Sequence, residues 1–252
     1  MNIKLVHEFV EDCTITMSTS EDANNPMANL KDRNPNHTWK GGSAVKDQTI
    51  VFDCGAARTV DTVVVGNMNF LSCHGDTGIN WQSSTNGVSW TTRGTFASAV
   101  NGTEELEISS VSARYWRVQF SGTVDLPAIP QIGNIAFGTR VELFPYNNGA
   151  KISDAHNTQM RTSLDGTKFT SQPYKGFKRW NVKWTLLSDT ERTNMLNVNK
   201  SVRGKFLSFY FVDMDGAVYL VNFMVDEISM ELFRYNLNNT ADIPIESFSV
   251  NT

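Results

Sequence analysis

Residues 113–122 read Ala-Arg-Tyr-Trp-Arg-Val-Gln-Phe-Ser-Gly, with Trp116, Val118 and Phe120 alternating with Tyr115, Arg117 and Gln119. That is the period of a strand with one face buried and the other solvated or paired. Outward from it, short apolar runs and turn residues recur at intervals of roughly 10 to 15 residues, which predicts a β-sandwich or jelly roll. Ile50, Phe52 and Cys54 share one face of a strand, and Val60 with Val63, Val64 and Val65 makes a near-continuous core run. Ile79 and Trp81 lead to an Asn86-Gly87 hairpin turn before Trp90. Residues 129–143 close this half with one or two more strands.

The second half is also strand-rich. Trp180, Val182, Trp184 and Leu186 alternate with Asn181, Lys183 and Thr185, predicting a long half-buried strand that stops at Ser188. Ser188 and Glu191 have the spacing of a capping box, so a helix is expected over 189–200, packing through Met195, Leu196 and Val198. Residues 204–235 give two or three strands around a tight Asp215-Gly216 turn, read as type I′. Those strands are apolar on both faces, so a second layer or another subunit has to cover them. Pro, Asn and Gly interrupt the pattern near 144–149, which divides the chain into domains 1–144 and 145–252.

Composition narrows the function classes. Charged residues are 19% of the 252, below the roughly 25% usual for soluble domains. The 24 Asn outnumber the 22 Lys plus Arg, so amides and hydroxyls supply much of the polar surface. A net charge of -4 without a basic cluster argues against nucleic acid. The absence of a long apolar run argues against membrane insertion, and the first residues lack the pattern of a secretory signal. Cys13, Cys54 and Cys73 match no metal or redox spacing and read as small buried hydrophobes in a reduced compartment. His7, His37, His74 and His156 are isolated, and Glu104, Glu105 and Glu107 read as a solvated acidic face. No nucleotide or hydrolase motif is present, and no enzyme is expected.

The ordered motifs of the first half, from Asn-Leu-Lys-Asp-Arg-Asn-Pro-Asn-His-Thr-Trp at 29–39 through Asp53-Cys54-Gly55, Thr85-Asn86-Gly87 with Trp90, and Ala113 to Arg117, resemble discoidin (coagulation-factor C-type) domains and related carbohydrate-binding modules. The resemblance covers about residues 25–144 and implies a jelly-roll β-sandwich. It also implies loops at one end that contact glycans or lipid head groups, and a structural calcium. The positions that match a calcium set best are Asp32, Asn34, Thr38 and Glu142. Trp39, Phe70 and His74 are the loop-proximal candidates for glycan contact. No other cofactor is implied.

The second half is similar to distal and minor tail proteins of long-tailed bacteriophages, through Arg179-Trp180, Trp184, Ser188, Glu191, Gly204, Phe209, Phe211, Asp213, Gly216, Tyr219 and Phe223. That resemblance implies a tail-tube-like β-barrel or sandwich with one flanking helix. It implies a ring, trimeric or hexameric, between the tail tube and the tip or baseplate proteins, with Trp180, Trp184, Phe209, Phe211, Tyr219 and Phe223 as interface candidates. The combined expectation is a structural virion protein at the tail tip, assembled in the host bacterial cytoplasm, whose jelly roll docks or contacts a host surface glycan. The alternative is a soluble, lectin-like carbohydrate-binding protein.

Overall fold

The computed structural model describes residues 2–34, 36–74, 78–96, 101–146, 150–155, 159–165, 167–171, 176–234 and 237–248. Mainly β structure is observed, in two compact units: residues 4–141, and residues 1–3 with 142–252. From the start to residue 143 the strands are β1 Ile3–Val6, β2 Thr14–Met17, β3 Trp39–Lys40, β4 Gln48–Met68, β5 Ile79–Ser84, β6 Thr91–Phe96, β7 Gly102–Phe120, β8 Gln131–Ile132, β9 Asn134–Gly138 and β10 Val141–Leu143. A four-residue helix, α1 Phe70–Cys73, precedes β5.

The first unit is a β-sandwich because its two longest strands bend. β4 pairs with β7 over almost its whole length, with register breaks after Asp53, Val60 and Val65. Before the first break, residues 48–53 lie between β2 and the C-terminal half of β7, and the layer continues through β5 to β6. After it, residues 62–66 lie between β9 and the N-terminal half of β7. Such bulges bend a strand and raise its local twist. Here they fold one sheet over itself, so that Trp81 of β5 meets Phe137 of β9 with ring centroids 5.1 Å apart. Phe52 and Trp116 complete this aromatic centre, and Trp81 stacks on Trp116 at 5.7 Å. All four are fully buried, Trp116 as the alternation from 113 to 120 predicts.

The second unit contains β11 Lys151–Ala155, β12 Gln159–Thr162, β13 Lys168–Ser171, β14 Phe177–Val182, β15 Leu187–Ser188, α2 Asp189–Ser201, β16 Phe209–Val212, β17 Val218–Phe223, β18 Met230–Arg234, β19 Leu237–Thr240 and β20 Ile243–Ser247. An antiparallel run has the order β16-β17-β20-β14-β11. The capping box forms as expected: Glu191 N donates to Ser188 Oγ, and Ser188 N donates to Glu191 Oε2. Met195 and Val198 are fully buried, and Leu196 is half-buried.

Two local expectations are corrected. The strand from Trp180 ends at Val182, and Leu186 takes a φ of 61°. Trp184 is instead held by the β19 end, where its N–H donates to Thr240 Oγ1 and its carbonyl accepts Thr240 N–H. The turn between β16 and β17 is not type I′, which needs positive φ at both central residues. Only Gly216 is positive there, at 84°, and Asp213 N–H reaches Ala217 O, giving a longer loop.

β11 and β14 pair directly, and beyond them β12 and β13 pair only with each other among the described residues. Within the stretch 151–182, β11 and β14 belong to the unit's sheet, while β12 and β13 form a separate hairpin, the arm. Every residue from 151 to 154 is exposed, and Met160, Leu164 and Phe169 are exposed by 60% or more.

Candidate functional site

Of the residues proposed for calcium, Asp32, Asn34 and Thr38 hydrogen-bond to near neighbours. Asp32 follows a short 3-10 turn, Met27–Lys31, and spends its oxygens locally: Oδ1 accepts Asn34 N–H at 2.9 Å, and Oδ2 lies 2.6 Å from His37 Nδ1. Asn34 Oδ1 accepts Asn36 N–H at 3.0 Å, and Thr38 Oγ1 donates to Asn25 Oδ1 at 3.4 Å. Glu142 belongs to the other unit. Among the described residues no group of three or more His, Cys, Asp or Glu could hold a metal ion. The Asp32 and Asn34 oxygens close an Asx-type loop.

Two proposed glycan contacts are also displaced. Trp39 and Phe70 are fully buried; Phe70 packs edge-on against Phe96 and Phe120 at 5.3 and 5.7 Å. His74 sits half-buried at the end of α1. The interface candidates are likewise internal. Trp180, Trp184, Phe209, Phe211 and Phe223 are at most 1% exposed within the chain itself, and Tyr219 is half-buried against Trp180 at 4.9 Å. Trp180 Nε1–H and Tyr146 O–H both donate to the buried carboxylate of Asp213, each at 3.1 Å. These side chains are thus covered within the chain itself. Nor is the acidic run purely solvated: Glu105 is nearly buried and pairs with Lys4 Nζ at 3.0 Å, and Glu107 hydrogen-bonds the same ammonium. His156 lies outside the described residues.

What the sandwich does present is an ordered polar face around one indole. Five of the six tryptophans are at most 1% exposed, and Trp90, in the β5–β6 connection, is the one that reaches the surface. The connection is built by side chains. Ser84 Oγ accepts Gly87 N–H at 2.9 Å, Asn86 Oδ1 accepts the N–H groups of Val88 and Ser89 at 2.9 Å, and Gly87 takes a φ of 73°. Arg117 reaches across from β7 and lays its guanidinium 4.2 Å above the Trp90 ring, a cation–π contact. Its Nε–H donates to Gln82 Oε1 at 2.6 Å, and Gln82 Nε2 donates to Thr92 Oγ1 at 2.9 Å.

Cross-strand register explains the alignment, since Val51, Arg117, Gln82 and Thr92 are direct neighbours on β4, β7, β5 and β6. The next row holds Gln119, Asn80 and Thr95, with Thr95 Oγ1 donating to Asn80 Oδ1 at 2.8 Å. On the other side Arg114 grips Asp53 through two bonds of 2.7 and 2.8 Å. That guanidinium, with Gly55 N–H, holds the Asp53 carboxyl down at about 2. Burial pulls Arg117 below its ordinary value, although a guanidinium stays a cation at neutral pH. An aromatic plane beside a guanidinium, amides and hydroxyls can stack on the C–H face of a sugar and hydrogen-bond its hydroxyls. The strand alternation already placed Arg117 and Gln119 outward. Which indole stays at the surface depends on how the sandwich closes.

No protein-family profile matches the sequence, and neither does any curated protein. Several solved structures are similar over about half of this chain. Chitosan-binding module 1 of a chitosanase/glucanase from Paenibacillus sp. IK-5 is 20% identical with a TM-score of 0.45, over 53% of this chain and 100% of that one. CBM32 of AlyQ, in complex with 4,5-unsaturated mannuronic acid, is 24% identical with a TM-score of 0.41, over 54% and 97%. CBM32-1 of a family 31 glycoside hydrolase from Clostridium perfringens is 10% identical with a TM-score of 0.43, over 53% and 99%.

Proposed function

We propose that this chain is a non-catalytic attachment protein whose sandwich unit contacts a glycan at the outer face centred on Trp90. The observation that carries the reading is the Trp90–Arg117–Gln82–Thr92 series, in which one surface indole is fixed beside polar groups already held in place by hydrogen bonds. Preorganised polar groups lose little entropy on binding. The sequence resemblance of residues 25–144 to discoidin and carbohydrate-binding modules supports the same reading. A glycan array probed with the purified chain should show binding that falls at least tenfold in Trp90→Ala and in Arg117→Ala, with the thermal midpoint little changed. Binding that survives both substitutions would refute the site.

A second reading, as a ring component of a phage tail tip, is favoured by the stretch 151–182, which includes the β12–β13 arm. It exposes Met160, Leu164 and Phe169 and carries six Lys and Arg against two Asp, whereas the rest of the chain carries 16 basic against 24 acidic residues. A basic stretch with exposed apolar side chains on an acidic protein suits contact with further copies of the chain. Mass photometry of the full chain should then show discrete oligomers, and a monomer at high micromolar concentration would exclude ring formation by this chain alone.

A further inference from the structure

Cys13, immediately before β2, and Cys54, on β4, lie side by side. β2 and β4 are paired antiparallel with Thr14 opposite Asp53, so the next pair in that register is Cys13 opposite Cys54. Directly opposed residues have Cβ atoms roughly 4.5–5.5 Å apart, close to the roughly 3.5–4.5 Å that a disulfide spans. The two sulfurs are in fact 3.0 Å apart, about 1 Å beyond the length of an S–S bond. Both cysteines are free thiols, 41 positions apart in sequence.

The pair is also reachable. Cys13 is fully buried, but Cys54 is half-buried and lines a surface cleft of about 390 Å³ together with Glu8, Ala57, Arg58 and Thr139. Arg58 is fixed there, its Nη1–H donating to Phe9 O and its Nη2–H to Asp12 Oδ2, each at 3.2 Å. The hydrogen bond with Cys54, helped by the Arg58 guanidinium, holds Cys13 below the ordinary thiol value, while that same contact and burial push Cys54 above it, so the pair shares its first ionisation. Cys73 differs in every respect. It is fully buried in the core, its thiol directed at Phe70 O at 4.0 Å, and burial pushes it up to about 12.

We infer that Cys13 and Cys54 are a dithiol site that small-molecule disulfides of the glutathione class oxidise to an intramolecular disulfide. One proton leaves the pair to solvent and the other stays between the sulfurs. With that proton on Cys13, the Cys54 thiolate in the cleft attacks one sulfur of the small disulfide, forming a mixed disulfide and expelling one small thiolate. Cys13 then gives up its proton, and its sulfur attacks the Cys54 sulfur, expelling the second small thiolate. Two protein thiols are oxidised to one disulfide, one small disulfide is reduced to two thiols, and the two protons released end on those thiols. The product joins residue 13 to the long strand β4.

The folded full chain is incubated with oxidised glutathione, quenched in acid, denatured, treated with N-ethylmaleimide, and weighed intact and as non-reduced peptides. The expected product is lighter by two hydrogens, takes up one maleimide where the untreated chain takes three, and yields a peptide joining Cys13 to Cys54. Retention of all three reactive thiols, a stable glutathione adduct on Cys54, or a cross-link through Cys73 would each overturn the inference. In Cys13→Ser the adduct should stay trapped on Cys54, while Cys54→Ser should leave Cys13 unmodified because Cys13 is fully buried. The reverse pattern would overturn the assigned order of attack.

Discussion

His7 is half-buried with its Nδ1 enclosed, and burial, reinforced by the nearby Arg33 guanidinium, holds its pKa below the ordinary value. In the unfolded chain the same imidazole takes up a proton near its usual 6.5. As pH falls below that point the unfolded state therefore binds more protons than the folded one. Stability present above pH 6.5 is lost as the pH drops toward the folded-state value. The thermal midpoint should fall between pH 7 and pH 5.5, and the fall should be smaller in His7→Gln; equal slopes for the two proteins would show that His7 contributes nothing. A second residue-scale effect sits past the end of α2. Gly204 has a φ of 63°, and a Cβ there would lie 2.7 Å from the backbone of Asp226. Gly204→Ala should cost at least about 1 kcal/mol in denaturant unfolding, since both the left-handed conformation and the close approach penalise a side chain.

At the scale of elements, the arm differs from the rest of its unit. β16 is buried at every position and β14 buries Trp180 and Val182, whereas the described residues of β12 and β13 are exposed. A two-stranded hairpin is marginal alone in water and gains stability by packing its apolar face. Met160→Ser with Phe169→Ser should therefore leave the thermal midpoint of the folded unit nearly unchanged while lowering the mass of any oligomer seen by mass photometry. A large loss of midpoint would mean instead that the arm packs on its own chain. The sandwich shows the opposite behaviour, with β4 and β7 each serving both layers through their register breaks. Alternation identified these strands as core-facing, yet a 21-residue strand cannot be read from a two-residue period that continues through bulges.

For the whole molecule, the contrast is one of charge. The stretch 151–182 carries +4 and the remaining residues together -8, giving the net -4. Attraction between this stretch of one copy and the acidic surface of another is screened within roughly 10 Å at 0.1 M salt. Raising sodium chloride from 50 to 500 mM should shift any oligomer toward monomer, as read by sedimentation velocity; an oligomer that tightens with salt would point to apolar contacts alone. The low charged fraction acquires a local meaning as well. Amides and hydroxyls such as Asn80, Gln82, Thr92 and Thr95 form hydrogen-bonded ladders on the outer sheet face, where isolated charges would cost more to desolvate on binding.

Local physics made much of this legible beforehand. The alternation at 113–120 depends only on the pleat, and the Ser188 and Glu191 cap depends on groups three residues apart, so both follow from neighbouring residues. Contacts between distant segments were decided by the fold. Trp39 and Phe70 look like loop aromatics in sequence but fill the core, because packing a sandwich consumes nearly every large ring available to it. Trp90 stays at the surface because Arg117, 27 positions on, is aligned beside it by strand register. Cys13 and Cys54 match no spacing rule and meet only because β2 and β4 pair. Sequence by itself determined the core-facing alternation at 113–120 and where the helix begins, since these are properties of adjacent residues and their periodicity. Only the tertiary structure decided which aromatic, which polar row and which thiols share a surface, since that is set by the register between strands far apart in the chain.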